Sequence, residues 1–183
     1  MNLIIVNGLP ATGKTTIARQ LSQKLDLPLI GKDTIKEFLF DSLGTKDREW
    51  SRTLGKASND FLYELTDKLL ADGYSIIVEN AFEREFAVPR FEQIMAKYSP
   101  TIVEVLCTTD ADVRRARFIE RNETGERHAG HVDKDNYPTP GDPEPLEKYA
   151  PLNIGTTITI DTTDTHEVDF GEIVDTIKQR LKV

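Results

Sequence analysis

The fold is decided by the stretch Leu3-Ile4-Ile5-Val6-Asn7-Gly8-Leu9-Pro10-Ala11-Thr12-Gly13-Lys14-Thr15. It fits the pattern G-x-x-x-x-G-K-[ST] at Gly8, Gly13, Lys14 and Thr15. An apolar run of strand length precedes the loop, and a segment with apolar residues at helical spacing follows it. Strand, loop and helix therefore stand in the order that the motif requires, which favours a nucleoside triphosphate site over a glycine turn that contains Lys-Thr by chance.

The chemistry of the loop explains this spacing. Gly8 and Gly13 let the backbone turn back without a Cβ in the way, so that successive N–H groups point at a polyphosphate. The helix that begins near Gly13 aims its positive dipole end at the same anion. Lys14 can reach the β- and γ-phosphates, and the Thr15 hydroxyl is placed to ligate Mg²⁺. We expect eight residues to bind the nucleotide: Gly8, Pro10, Ala11, Thr12, Gly13, Lys14, Thr15 and Thr16.

Length and composition indicate one globular domain, residues 1–183, with 38% hydrophobic and 30% charged residues. No apolar run is long enough to cross a bilayer, and a first strand that begins at Leu3 leaves no room for a signal peptide. The one cysteine, Cys107, has no second cysteine with which to pair. These features predict a cytoplasmic protein without membrane contact.

The formal charge of −8, from 31 acidic and 23 basic residues, disfavours a broad electrostatic grip on nucleic acid. This argument concerns the whole surface and says little about the charge of any one pocket. We therefore favour a small-molecule partner and keep a polynucleotide as the alternative.

Strands and helices alternate along the chain, which predicts an α/β fold of three layers, with a parallel sheet covered on both faces. Ligands of such folds bind at the carboxyl ends of the strands. Polar residues stand just after four predicted strands, so one cleft would gather Lys14, Asp33, Glu79 and Thr162. A long helix is also predicted from Trp50 to about Ala71, with an apolar stripe at Leu54, Ala57, Phe61, Leu65 and Leu69.

Asp33 lies 19 residues beyond Lys14, at the end of the second predicted strand and the beginning of a helix. A carboxylate there could take the proton of a substrate hydroxyl and orient it toward the γ-phosphate. The alternative is a plain N-cap for the helix, a role that suits an aspartate.

Glu79 follows the apolar run Ile76-Ile77-Val78. Proteins with this phosphate loop place an acid there to hold the shell of Mg²⁺. A buried structural ion pair is the competing interpretation.

An arginine-rich segment comprises Arg114, Arg115, Arg117, Arg121 and Arg127. Arg117 and Arg121 are one helical turn apart, and guanidinium groups can stack on a purine or clamp phosphoryl oxygens. A solvated helix face is the alternative. The segment leads into a proline-rich stretch without apolar pattern, so we predict a lid over residues 122–149 that closes on the nucleotide.

His128 and His131 could suggest a metal. Two histidines three residues apart, with no cysteine nearby, are an incomplete zinc ligand set. Contacts to phosphate or to substrate, or a role in the lid structure, are favoured instead.

These features together resemble the P-loop kinases that include chloramphenicol phosphotransferase-like enzymes, zeta-toxin-like kinases and polynucleotide kinases, often called AAA-type ATP-binding proteins. The resemblance rests on the Gly8–Thr15 loop, the turn at Gly31-Lys32-Asp33, the pair Arg117 and Arg121, and the segment Arg127–His131. It covers most of the chain.

The resemblance implies a five-stranded parallel sheet of order 2-3-1-4-5, with Asp33 as general base. It also implies that Arg117 stacks near adenine, that Arg121 touches phosphate, and that Thr162 and Thr163 border the base. Glu79 stands where the family most often has Asp.

The sequence thus predicts a phosphotransferase that uses ATP and Mg²⁺ to modify a hydroxyl of a small molecule, with Lys14, Asp33, Arg121 and Arg127 as its catalytic residues. Two alternatives remain open. One is a regulatory NTPase that acts on a protein partner, and the other is a nucleic-acid 5′-hydroxyl kinase.

Overall fold

The computed structural model describes residues 1–125, 127–132 and 146–181. Much of the predicted lid, residues 122–149, therefore lies outside the described residues. Its described parts are the end of the arginine-rich helix, the short segment 127–132, and the start of the final described stretch.

The sheet has five parallel strands in the order β2-β3-β1-β4-β5, which confirms the prediction. Strand β1 is central, and its Ile4 lies opposite Ile77 on one neighbour and Val103 on the other. Every residue of Leu3–Val6 is fully buried, as expected for a strand covered on both faces. The strands are β1 (Asn2–Asn7), β2 (Leu29–Gly31), β3 (Ile76–Glu79), β4 (Thr101–Thr108) and β5 (Thr156–Asp161).

Helices cover both faces of the sheet. Residues of β1 alternate between two cores, because Leu3 and Ile5 pack with residues of α3 and α4, whereas Ile4 and Val6 pack with residues of α1 and α6. None of the helices in the described ranges is long and apolar enough to cross a membrane. The helices are α1 (Lys14–Leu25), α2 (Lys32–Leu43), α3 (Arg48–Ala71), α4 (Arg84–Tyr98), α5 (Ala111–Glu123) and α6 (Phe170–Arg180), with a 3₁₀ turn at Ala129–His131.

The buried face of α3 differs from the predicted apolar stripe, which was wrong for Ala57 and Phe61. Both are exposed, Phe61 to 54%. The helix instead buries hydroxyl residues, because the Ser58 hydroxyl donates to Leu54 O at 2.6 Å and the Thr66 hydroxyl to Leu62 O at 2.7 Å. A hydroxyl that is satisfied within its own helix can enter the core without an unpaired donor. The face buries Leu54, Ser58, Leu62, Thr66 and Leu70.

Candidate nucleotide and acceptor site

The loop between β1 and α1 has the backbone shape that its glycines make possible. Gly8 has φ +140° and Gly13 has φ +75°, values that residues with a Cβ rarely adopt. A Cβ on Gly8 would lie 2.3 Å from the carbonyl oxygen of Cys107 on β4. Gly13 stands at the N-terminus of α1, where no side chain caps the helix. The first N–H groups of α1 are thus left for a ligand.

Hydrogen bonds hold the loop from both sides. The Thr12 hydroxyl and the Lys14 ammonium both donate to Leu9 O, at 2.9 Å and 2.7 Å. From the loop after β5, the Thr162 hydroxyl lies 2.8 Å from Thr12 O. The phosphate loop is thereby fixed to its own backbone and to the far edge of the sheet.

A cleft of about 570 Å³ at the carboxyl edge of the sheet brings most of the predicted site residues together. Gly8 and Thr12 line a second cavity instead, of about 410 Å³, and Thr162 is fully buried. The predicted residues that line the cleft are Pro10, Ala11, Gly13, Lys14, Thr15, Thr16, Asp33, Glu79, Arg117, Arg121 and Arg127.

Lys14, Thr15 and Glu79 form the centre of the cleft. Burial lowers the pKa of Lys14 and raises the pKa of Glu79, and in each case the charge of the other residue opposes the effect of burial. The Thr15 hydroxyl donates to Glu79 Oε2 at 3.4 Å. A hydroxyl and a carboxylate side by side are the hard oxygen ligands that Mg²⁺ prefers, and a cation there would favour the charged form of Glu79.

Asp33 is not an N-cap, because α2 begins at Lys32 and its N-cap is Gly31. Its carboxylate accepts from Lys32 Nζ at 3.1 Å and from Arg127 Nη1 at 2.5 Å, while its side chain remains 41% exposed. Burial alone would raise the pKa of Asp33, but Lys32, Arg127 and His131 together hold it well below its usual range. Asp33 is therefore an ionised carboxylate at the cleft surface.

The segment 127–132 packs on α2 and so fixes the position of Arg127. The His128 ring stacks on Phe40 with the ring centres 5.2 Å apart, and a Cβ on Gly130 would lie 2.6 Å from the Phe40 ring. His131 Nε2 lies 2.9 Å from Glu37 Oε1. Burial, and next the Arg127 charge, lower the pKa of His131 to about 3, so its imidazole is neutral at physiological pH.

Each of the two histidines lies beside an acid of α2. His131 pairs with Glu37, and His128 Nε2 lies 3.2 Å from Asp41 Oδ1, one helical turn further along α2. Within the ranges 1–125, 127–132 and 146–181, no group of three or more His, Cys, Asp or Glu residues could hold a metal ion.

Arg114 and Arg117 of α5 lie against the phosphate loop and the loop after β5, so α5 is not simply a solvated basic helix. Arg117 Nη2 donates to Thr162 O at 2.9 Å and to Thr163 O at 3.1 Å. Arg117 Nη1 is buried and makes no hydrogen bond to the residues that the structure describes. Arg114 Nη1 approaches Pro10 O at 3.5 Å. The Nη1 donor beside the cleft fits a site that a nucleotide completes.

Two buried residues at this edge were missed by the sequence reasoning. Asn7 and Glu104 are fully buried and hydrogen-bonded to each other, and Asn7 also bonds the N–H of Gly8. The available signal was Glu104 itself, since an acid inside the apolar run of β4 must have buried donors around it.

The fold and the site define a P-loop ATP-binding protein of the kinase type. Residues 3–136 match the family described as "AAA domain" (AAA_33). The chain belongs to this AAA domain family. A comparison with curated proteins finds no match.

Solved structures support the same fold. A crystal structure of a "putative kinase" from Chloroflexus aurantiacus J-10-fl is 37% identical, with TM-score 0.90, and the match covers 99% of this chain and 98% of that one. Kti12 of Chaetomium thermophilum with ADP-AlF3 is 17% identical, with TM-score 0.63 and coverage of 99% and 100%. The APS kinase CysC of Mycobacterium tuberculosis with AMPPNP and APS is 16% identical, with TM-score 0.51 and coverage of 97% and 95%. The latter two show likeness of fold alone.

Proposed function

We propose that this protein is an ATP- and Mg²⁺-dependent kinase that transfers the γ-phosphate to a hydroxyl of a small-molecule acceptor, with Asp33 as general base. The observation that carries the proposal is the shared cleft, in which the ionised Asp33 lies with Lys14, Thr15 and Glu79. The 37% identical relative that bears the name of a kinase supports it.

In this proposal the nucleotide half of the cleft binds and orients ATP. Backbone N–H groups of the phosphate loop and the N-terminus of α1 receive the phosphates, and Lys14 contacts the β- and γ-oxygens. Arg117 borders the adenine, where its Nη1 donor is available. Arg121 and Arg127 line the same cleft and neutralise the charge that develops on the transferred group.

The residues present fit Mg²⁺, which Thr15 and Glu79 would hold together with phosphate oxygens and water. The cation would neutralise charge on the β- and γ-phosphates. The direct protein ligand set is small, as is usual for Mg²⁺ in phosphoryl transfer. Glu79 is the last residue of β3, at the carboxyl edge of the sheet.

Asp33 contributes orientation more than basicity. A carboxylate has about four lone-pair sites. Lys32 and Arg127 use two of its contacts, and the 41% exposed side chain has room for an acceptor hydroxyl. Because its pKa is held low, Asp33 accepts the proton as the new O–P bond forms, when the hydroxyl becomes strongly acidic.

The acceptor in this proposal is a small polar molecule. Acidic and basic side chains line the cleft together, which suits a polar acceptor. The overall charge of −8 disfavours a polynucleotide. We extend the proposal to a lid over residues 122–149, of which the described segment 127–132 brings Arg127 to Asp33.

The test is an acceptor screen with [γ-³²P]ATP and Mg²⁺ over nucleosides, sugars, aminoglycosides and short oligonucleotides. Asp33→Asn is assayed alongside, and Asp175→Asn, which removes an exposed carboxylate on α6, is the matched control. We expect label on one class of small molecule, loss of transfer by about 10²- to 10⁴-fold in Asp33→Asn, and ADP affinity near that of the wild type.

Two results would count against the proposal. Unchanged turnover of Asp33→Asn would reject Asp33 as the base. Tight ATP binding with no labelled acceptor, and hydrolysis that depends on an added protein partner, would favour the regulatory NTPase instead.

A further inference from the structure

Asn7, the last residue of β1, connects the phosphate loop to a second loop. Its Oδ1 accepts from Gly8 N at 2.7 Å, the first N–H of the phosphate loop, and from Phe82 N at 2.9 Å. Phe82 lies between β3 and α4, directly after Asn80 and Ala81, which line the cleft. One side-chain oxygen thus ties together two loops that form the site.

The other side of the Asn7 amide contacts a buried acid. Asn7 Nδ2 donates to Glu104 Oε1 at 3.0 Å, and both residues are fully buried. The partners fix the orientation of the amide, because two backbone N–H groups require the oxygen on one side and a carboxylate requires the nitrogen on the other.

Glu104 continues the network to the far edge of the sheet. Its two oxygens accept from Leu152 N at 3.1 Å and 3.0 Å, and Oε2 accepts from the Thr157 hydroxyl at 3.0 Å. Every partner of the carboxylate is a donor, so its acceptor capacity is used without an unpaired group. A residue buried this fully is out of contact with any substrate in the cleft.

We propose that Asn7 and Glu104 are positioning residues that set the phosphate loop and the β3–α4 loop for nucleotide binding. Their shared hydrogen bond fixes the Asn7 amide, which in turn holds Gly8 N and Phe82 N. The inference rests on the proposed function only in taking the phosphate loop as the nucleotide site.

Because Asn7 donates and Glu104 accepts, the amide and the carboxylate can be exchanged between the two positions in a swap variant. Asn7→Asp places a carboxylate oxygen against Glu104 and removes the donor of the shared bond. The amide that Glu104→Gln introduces can keep its oxygen toward Asn7 Nδ2 and Leu152 N while its NH2 donates to the Thr157 hydroxyl, so this substitution alone retains the bond. In Asn7→Asp/Glu104→Gln the new amide donates to the new carboxylate. The remaining amide oxygen still accepts from Leu152 N and Thr157, and the carboxylate still accepts from Gly8 N and Phe82 N.

The measurement is ADP affinity by calorimetry at 20 °C, with the melting temperature of each variant recorded alongside. We expect Asn7→Asp to weaken ADP binding roughly tenfold, the effect of one buried hydrogen bond. Glu104→Gln and the double variant should both bind ADP within about threefold of wild type. Thr66→Val, which removes a buried hydroxyl on α3 away from the cleft, should lower the melting temperature without changing ADP affinity.

An Asn7→Asp variant that melts at lower temperature but binds ADP as the wild type does would overturn the inference, since the pair would then only stabilise the fold. A swap variant that binds no better than Asn7→Asp would overturn it too. If Asn7→Asp does not fold, Asn7→Ala, which removes the amide, replaces it in the comparison with the swap. Because the readout is ADP affinity, failure to find a phosphate acceptor would reject the proposed function and leave this test valid.

Discussion

The two halves of the cleft are built in different ways. The centre of the nucleotide half is local, because Lys14 and Thr12 bind the carbonyl of Leu9, a few residues away in the same loop. Longer-range bonds, such as that between Thr162 and Thr12, support it from outside. The acceptor half is assembled from distant parts of the chain, since Arg127 reaches Asp33 across 94 residues. A contiguous motif can specify the first half, whereas the second depends on how α2 and the segment 127–132 pack.

The difference extends to the chemical groups involved. The nucleotide half presents backbone N–H groups and a helix N-terminus, and few side-chain substitutions can change the position or charge of these groups. The acceptor half presents ion pairs and an exposed carboxylate. We therefore expect loss of a side chain at the phosphates in the first half to damage nucleotide binding and rate together, and substitutions in the second half to change rate and pH dependence with nucleotide binding preserved.

The largest effect should come from Lys14→Met. It removes the buried ammonium that we propose contacts the phosphates, and we expect phosphate transfer to fall by at least about 10³-fold, with weaker ATP binding as well. Steady-state kinetics and calorimetry measure the two effects. Lys24→Met, an exposed lysine in the last turn of the same helix, is the matched control and should leave both unchanged. Full transfer by Lys14→Met would place the reaction outside this loop.

The same contrast explains which parts of the fold and of the site could be predicted from the sequence. The Gly8–Thr15 loop and the alternation of apolar strands with helices were enough for the fold class, whereas the strand order was predicted from the resemblance to P-loop kinases. The pairing of Arg127 with Asp33 was not predictable, because it depends on Gly130 lying against Phe40. Sequence placed both residues at the site but contained no signal that they touch.

Buried polar residues account for the other differences. Ser58 and Thr66 shift the buried face of α3 because their hydroxyls bond within the helix, which an apolar periodicity cannot detect. In the sequence, Glu104 is one polar residue within a predicted strand. Only the folded sheet brings Asn7, Leu152 and Thr157 to its oxygens. In each case a hydrogen bond outweighed the hydrophobic pattern.

The next effect in size should come from Arg127→Met, which acts on the acceptor half alone. Loss of the charge beside Asp33 and beside the transferred group should lower turnover by roughly 10- to 100-fold, with ADP affinity within about twofold of wild type. Arg52→Met, an exposed arginine on α3, is the control. Equal losses of ADP affinity and turnover would show that the two halves are not separable at this residue.

The pH dependence of this variant sharpens the comparison. Lys32 and Arg127 hold the pKa of Asp33 below its usual range, so the wild-type carboxylate stays ionised as the pH falls. Without Arg127 that pKa rises, and the acid limb of the kcat/KM profile should move to higher pH. A profile unchanged in Arg127→Met would show that Asp33 does not control the acid limb.

A smaller effect should come from Gly130→Ala, which disturbs the docking of the segment 127–132. The added Cβ would meet the buried Phe40 ring at 2.6 Å, and we expect a loss of about 1–3 kcal/mol in the free energy of unfolding, with turnover reduced several-fold. Chemical denaturation and steady-state assays measure these. Gly55→Ala on α3 is the control, because its Cβ would come no closer than 3.5 Å to Lys36. A turnover equal to wild type would mean that docking does not position Arg127.

The smallest effect should come from Thr162→Val, which returns to the nucleotide half. The Thr162 hydroxyl lies 2.8 Å from Thr12 O and 2.9 Å from Thr108 O, and Thr108 O also accepts from the Thr109 hydroxyl. Donation of the Thr162 proton to Thr12 O supports the phosphate loop from outside. We expect ADP affinity to fall by roughly fivefold and turnover at saturating ATP to stay near wild type. Thr53→Val, which removes an exposed hydroxyl on α3, is the control. If Thr162→Val lost as many fold in ADP affinity as Arg127→Met loses in turnover, the phosphate loop would depend on long-range support as much as the acceptor half does, and the contrast between the two halves would fail.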